Sequence, residues 1–198
     1  MKKVTNMNRS TRRTRAAIRN ALLNAIEQKP ISSVTVQEII DNANICRTTF
    51  YAHYRDVQDL VKTIGDEIID EVGEHLSGSR YSEDQGCVYP TIASVVHTYA
   101  ENAETIRLLN GPNGDPSFNS RMQEKIYSII SDLRRQFDPS HFNELHHRLY
   151  SFYVISGGIS VMNDLLYNRI EWDPAQLIEV FCSMASHGQK VFQITDIA

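Results

Sequence analysis

Thr35-Val36-Gln37-Glu38-Ile39-Ile40-Asp41-Asn42-Ala43-Asn44-Ile45-Cys46-Arg47-Thr48-Thr49-Phe50-Tyr51-Ala52-His53-Tyr54 is the stretch on which the reading of this 198-residue chain turns. Thr35 and Glu38 have the Thr-x-x-Glu spacing of a capping box, in which hydroxyl and carboxylate satisfy N–H groups at a helix start. Val36, Ile39, Ile40 and Ala43 then share one helical face. Asn42-Ala43-Asn44 breaks that helix, and asparagine is the best non-glycine residue for the left-handed backbone of a tight turn. A second short helix is expected from about Arg47 to Tyr54, with apolar Ile45 after the turn and Phe50 inside the helix. Two short helices joined in this way form a helix-turn-helix. Arg47, Thr48 and Thr49 lie at the N-terminal end of the second, where side chains reach base edges and the helix dipole attracts phosphate.

Outward from this stretch the pattern stays helical. Ala17, Ile18, Ala21, Leu22, Ala25 and Ile26 recur at helical spacing between Thr11 and Gln28, and Lys29-Pro30 stops that helix. Downstream, a long helix is expected from about Val57 to Leu76, with Leu60, Ile64, Ile68 and Val72 as its buried stripe. Ser77 to Pro90 is a polar loop, with Pro90 placed for the first turn of the next helix. That helix ends near Asn102, and a short one covers Glu104 to Leu109. Asn110-Gly111-Pro112-Asn113-Gly114-Asp115-Pro116 is a loop. Ser117–Phe137 and His141–Asn168 follow as helices about an Asp138-Pro139-Ser140 break, and Asp173-Pro174 opens a last helix to about Phe192. The expected fold is all-α, about nine helices, divided into a head at residues 1–56 and a larger helical domain at 57–198.

The net charge of −4 conceals an uneven distribution. Residues 1–62 hold eleven Lys and Arg against five Asp and Glu, a net of +6, whereas residues 63–198 hold nine against nineteen, a net of −10. A basic segment favours a polyanion such as DNA; a solvated tail with no partner is the competing reading. Cys46, Cys87 and Cys182 are odd in number and widely spaced, which argues for reduced thiols in a cytoplasm rather than a disulfide framework. No apolar run is long enough for a membrane span and no signal-peptide core follows the basic N-terminus, so no membrane partner is expected.

The stretch resembles the DNA-binding motif of the tetracycline-repressor (TetR) family, which reads roughly Gly-Val-Ser-x-x-Thr-Phe/Leu-Tyr-x-His-Phe. Thr49, Phe50, Tyr51 and His53 match it, as do Thr35, Val36 and Ile39 upstream and Leu60 downstream. Asn44 stands where glycine is usual, Ile40 where a small residue is common, and Cys46 where serine caps the helix. A thiol accepts hydrogen bonds weakly, so the recognition helix is expected to start less firmly. The resemblance implies that Thr35, Tyr51 and His53 bind phosphates, that Gln37, Arg47, Thr48 and Thr49 face the bases, and that Arg55 adds a phosphate contact. Packing is the competing role for Tyr51, and an inert surface position that for His53. The resemblance further implies a homodimer on a palindromic operator in double-stranded DNA, joined through the last two helices. Tyr150 to Leu166 is apolar nearly all round, and Ser156, Gly157, Gly158 and Ser160 would let a partner backbone approach; an internally buried helix of a monomer is the competing reading.

The expected function is a transcriptional regulator, a repressor released by a small-molecule effector; control by a protein partner, as in coactivator members of a similar subgroup, is the alternative. An all-helical enzyme or structural protein is the third reading. No phosphate-cradling loop, nucleophile elbow or cysteine pair supports catalysis, and no cofactor is expected. His97, Tyr99, Arg107, Phe118, Met122, Tyr127 and Tyr153 are the candidates for lining an effector cavity, because aromatics with a few polar groups suit small ligands; plain core or surface is the competing and stronger reading for each. His141, Glu144, His146 and His147 cluster at one helix start and read as solvated surface rather than a metal site.

Overall fold

The computed structural model describes residues 9–77, 88–137 and 144–194. Among these there are nine α-helices, one short 3₁₀ turn and no strand: α1 (Arg9–Gln28), α2 (Val36–Ala43), α3 (Arg47–Tyr51), α4 (Val57–Ser77), α5 (Val88–Glu101), α6 (Ala103–Asn110), α7 (Phe118–Phe137), α8 (Glu144–Tyr167) and α9 (Pro174–Ile194). The Asp138-Pro139-Ser140 break, most of the Ser77–Pro90 loop and the expected start of α8 at His141 lie outside the described residues.

The chain divides into two compact units. One reaches Asp66 and includes Leu108–Pro116; the other comprises Glu67–Arg107 and the chain from Ser117 onward. The division therefore runs inside α4, not ahead of it at residue 57. Leu60, Val61 and Ile64 explain this: they are buried at the start of α4 and belong to the first unit.

In the first unit α1 packs on α2 and α2 on α3. Ile18, Leu22, Ile26, Ile39 and Phe50 form its core with almost no exposure, as their helical spacing requires. Pro30 follows α1, and Ile31–Ser33 make a 3₁₀ turn where the sequence showed only a polar connection. The Ile31 N–H donates to the Asn113 carbonyl at 2.8 Å, so the 108–116 loop is bonded into this unit. Gly114 is buried within that loop. A Cβ there would lie 2.2 Å from the Leu109 carbonyl oxygen, so a larger residue has no room.

In the second unit α5 packs on α9, α7 on α8 and α8 on α9. The distal half of α4 is tied in by polar contacts: Ser94 Oγ donates to the Val72 carbonyl (3.2 Å), Asn102 Nδ2 to Glu71 (3.0 Å), and Lys125 pairs with Asp70 (3.2 Å). Asp173 caps α9 by accepting from the Ala175 N–H at 3.2 Å, as the Asp-Pro step indicated.

Candidate functional site

The α2–α3 hairpin is built almost wholly from local backbone chemistry. Thr35 has extended backbone angles, and its Oγ1 accepts from the Glu38 N–H at 3.2 Å. The Glu38 carboxylate is held below its ordinary range chiefly by Lys29, whose ammonium lies 2.7 Å away, with the Thr35 N–H a smaller contributor. The capping box thus doubles as an ion pair between the end of α1 and the start of α2. At the other end Asn44 adopts φ 51° and ψ 52°. Its N–H donates to the Asp41 carbonyl and the Ile45 N–H to the Ile40 carbonyl, the paired bonds of a Schellman turn.

Cys46 opens α3, and its thiol makes no cap bond to the helix. Its Sγ lies 3.1 Å from the Thr48 hydroxyl and 2.9 Å from that of Thr49. Those hydroxyls, Thr48 first, draw the thiol pKa down to about 7. The helix is three residues shorter than its sequence pattern suggests. The His53 N–H bonds to the Phe50 carbonyl, an i to i+3 contact that tightens the last turn and ends it.

This frame sorts the side chains by face. Phe50 is fully buried, with Tyr51 edge-on at 5.5 Å and Tyr54 tilted at 5.9 Å. Tyr51 is 51% exposed, so it braces Phe50 with its ring and leaves its phenol at the surface. Arg47, Thr48, Thr35 and Gln37 are exposed; Thr49 and His53 are half-buried. Gln37 Nε2 donates to Asp41 at 2.9 Å. Arg55 is exposed but engaged: its guanidinium pairs with Asp59 at 3.0 Å, and its N–H donates to the same carboxylate. The sequence reading gave Arg55 a phosphate contact and did not include this i,i+4 pair. Arg12 and Arg13 of α1 add exposed positive charge to the same unit.

The second unit contains a cavity of about 670 Å³ between α5, α7, α8 and α9. Of the seven residues named as candidates for an effector cavity, Tyr153 is the one that lines this cavity. His97 faces solvent, Arg107 is paired with Glu104 at 2.6 Å, and Tyr99, Phe118 and Met122 are fully buried core. Tyr127 stacks on His147 and lies tilted against Phe152 at 5.2 Å. Burial pushes the Tyr99 phenol up, and its hydroxyl is a buried polar atom that lacks a hydrogen-bond partner among the described residues.

No family model matches the chain. It is 33% identical over 66 residues to the uncharacterized HTH-type transcriptional regulator YxbF of Bacillus subtilis (strain 168), a segment that makes up 33% of this chain and 17% of that protein. Solved structures match far more of it. A TetR transcriptional regulator from Streptococcus agalactiae 2603V superposes with a TM-score of 0.61 at 20% identity, covering 90% of this chain and 96% of that one. NalD of Pseudomonas aeruginosa, the secondary repressor of the MexAB-OprM multidrug efflux pump, gives 0.66 at 18% identity over 89% and 96%. The dihydroxyacetone kinase operon activator DhaS gives 0.60 at 16% identity over 91% and 97%. This is the fold of a TetR-type transcriptional regulator. No helix among the described residues is long and apolar enough to cross a membrane.

Within this TetR-type fold the helix-turn-helix was legible because capping and turn chemistry are local. The cavity was not. His147, assigned from sequence to the solvated surface, is turned inward: it is 7% exposed, and its Nε2 lies 3.1 Å from the Ser131 hydroxyl. The single sequence signal for this was the uniform hydrophobicity of α8, which leaves no face to mark as outward.

Proposed function

We propose that the chain is a sequence-specific DNA-binding regulator that acts as a homodimer on a palindromic operator and is released by a small-molecule effector. The observation that carries the DNA-binding reading is the start of α3. There Arg47 and Thr48 stand exposed on a helix whose approach is set by the Asn44 turn and whose back is anchored by buried Phe50. In this reading Arg47, Thr48, Thr49 and Gln37 meet base edges, while Thr35, Tyr51 and His53 hold phosphates. Arg55 joins them only by sharing its charge with Asp59.

Two-fold pairing through α8 and α9 supplies the second recognition helix. Tyr153 and Val161 on α8 and Val180 and Met184 on α9 are exposed apolar residues. A Cβ on Gly157 or Gly158 would meet nothing within 4 Å, leaving room for a second copy's backbone. Both a repressor and an activator share the fold; the cavity in the second unit favours control by a small molecule over control by a protein partner.

Binding-site selection from random duplexes tests the proposal. The wild type is expected to select a palindrome with half-sites ~34–36 Å apart. Arg47→Ala and Thr48→Ala are expected to lose discrimination at particular positions, by about 1–3 kcal/mol for a good base contact. An unchanged consensus for both variants refutes the readout roles, and no selected sequence refutes the function.

A further inference from the structure

The cavity between α5, α7, α8 and α9 has a lining that selects among ligand chemistries. Thr91, Ile92, Val95 and Val96 come from α5, Ile126 and Ile130 from α7, and the rest from α8 and α9. No lysine, arginine, aspartate or glutamate is among the lining residues. Besides the phenols of Tyr150, which donates to the Ala185 carbonyl, and of exposed Tyr153, three polar side chains interrupt the apolar wall, each more than nine-tenths buried: Thr91, His147 and Ser151. His147 contacts two serine hydroxyls: Ser131 lies 3.1 Å from Nε2, and Ser151 lies 3.4 Å from Nδ1 and 3.5 Å from Nε2. Its ring is stacked on Tyr127 at 5.9 Å, which fixes its plane.

A charged group moved from water into such a wall would lose its hydration and meet no lysine, arginine, aspartate or glutamate, a cost of several kcal/mol or more, with the His147 imidazole the one lining group able to answer an anion. A neutral hydroxyl or carbonyl would lose far less. A serine hydroxyl has one donor and two acceptor sites, so Ser151 can serve His147 and a ligand oxygen together. A volume of about 670 Å³ is of the size that holds metabolite- or drug-sized molecules.

We infer that this cavity binds an uncharged, mainly apolar molecule bearing a hydroxyl or carbonyl group, which hydrogen-bonds at Ser151 and Thr91 beside His147. This rests on the effector reading above and specifies its ligand: neutral alcohols, ketones or esters are accepted, and carboxylates and ammonium compounds are rejected. The mouth of the cavity carries Tyr153, Val161 and Met184, so the ligand's apolar tail meets the face assigned to the second copy.

The test is displacement of Nile red, a neutral fluorophore, from the full-length protein by decanol, decanoate and decylammonium at neutral pH, without DNA. Decanol is expected to displace the dye at a concentration at least about tenfold lower than either charged analogue, a difference of about 1.4 kcal/mol. Ile92→Trp, which fills the cavity from α5, is expected to weaken decanol at least about tenfold while the thermal melt and operator affinity stay at wild-type values. Ser151→Ala is expected to narrow the preference for decanol over decanoate with dye binding retained. Equal or tighter displacement by either charged analogue overturns the inference. So does a folded Ile92→Trp protein that binds decanol as the wild type does. The assay contains no DNA, so a protein that fails to select an operator leaves this result standing. One that selects an operator but ignores decanol sinks this inference alone.

Discussion

Cys46 shows how much a single side chain can depart from the role its position suggests. At a helix start, serine would accept a backbone N–H; the thiol instead sits between the Thr48 and Thr49 hydroxyls. Hydrogen bonds to sulfur favour the thiolate, which takes the pKa to about 7, against about 8.5 for a free cysteine. Cys182 goes the other way, because partial burial raises it. In a Cys87→Ser background, iodoacetamide should therefore label Cys46 first, with a rate that rises through about pH 7 and not through the ordinary thiol range. Rates that climb only in the ordinary range would mean that the threonine hydroxyls do not stabilise the thiolate. The linkage sign follows: folding depresses this pKa, so the contribution to stability is complete above the free-thiol value and is lost as pH falls through about 7.

At the scale of the element, two turns hold the first unit together by different means. Asn44 pays for its left-handed angles with the two Schellman bonds and a side chain that tolerates them. Asn44→Ala should destabilise the protein by about 1 kcal/mol, whereas Asn44→Gly should leave it as stable or better. Chemical denaturation of the two variants decides this, and an alanine variant as stable as wild type would show that the turn relaxes out of the left-handed region. Gly114 is constrained by space and not by backbone angle. With carbonyl oxygens of Leu109 and Leu108 at 2.2 and 2.3 Å from an added Cβ, Gly114→Ala has to displace backbone. A loss of about 3 kcal/mol, the upper end for overpacking, is expected in the same experiment. The Ile31–Asn113 bond should loosen with it, which amide hydrogen exchange at Ile31 reads directly.

For the molecule as a whole, charge and apolar surface are segregated. Residues 1–62 carry +6 and the remainder −10, so DNA affinity should fall steeply as salt rises, and a second copy should be drawn in by apolar and not ionic contact. Gly158→Trp tests the pairing. A Cβ added at Gly158 meets nothing within 4 Å, so the fold should survive, while sedimentation should shift from dimer to monomer and operator affinity should drop with it. A wild type that sediments as a monomer at micromolar concentration, or a tryptophan variant that still dimerises, would remove α8 and α9 from the interface.

What the sequence determined by itself is the part of the protein whose forces act over a few residues. Thr35 and Glu38 at a helix start, Asn44 at a turn and Asp173 before Pro174 each act on backbone groups within a turn of themselves, and each appears where its chemistry demands. The helix count was legible for the same reason. Tertiary structure decided the rest. Whether a large side chain on α5 or α7 meets a cavity or fills a core depends on which helices lie across from it, which is why Tyr99, Phe118 and Met122 are core and the cavity falls instead on His147 and Ser151. The Lys29–Glu38 pair and the burial of Gly114 likewise need partners brought together by folding. Helix α8, apolar on every side, carries no periodic signal to say which face turns inward. Only the helices packed beside it, α7 and α9, settle that.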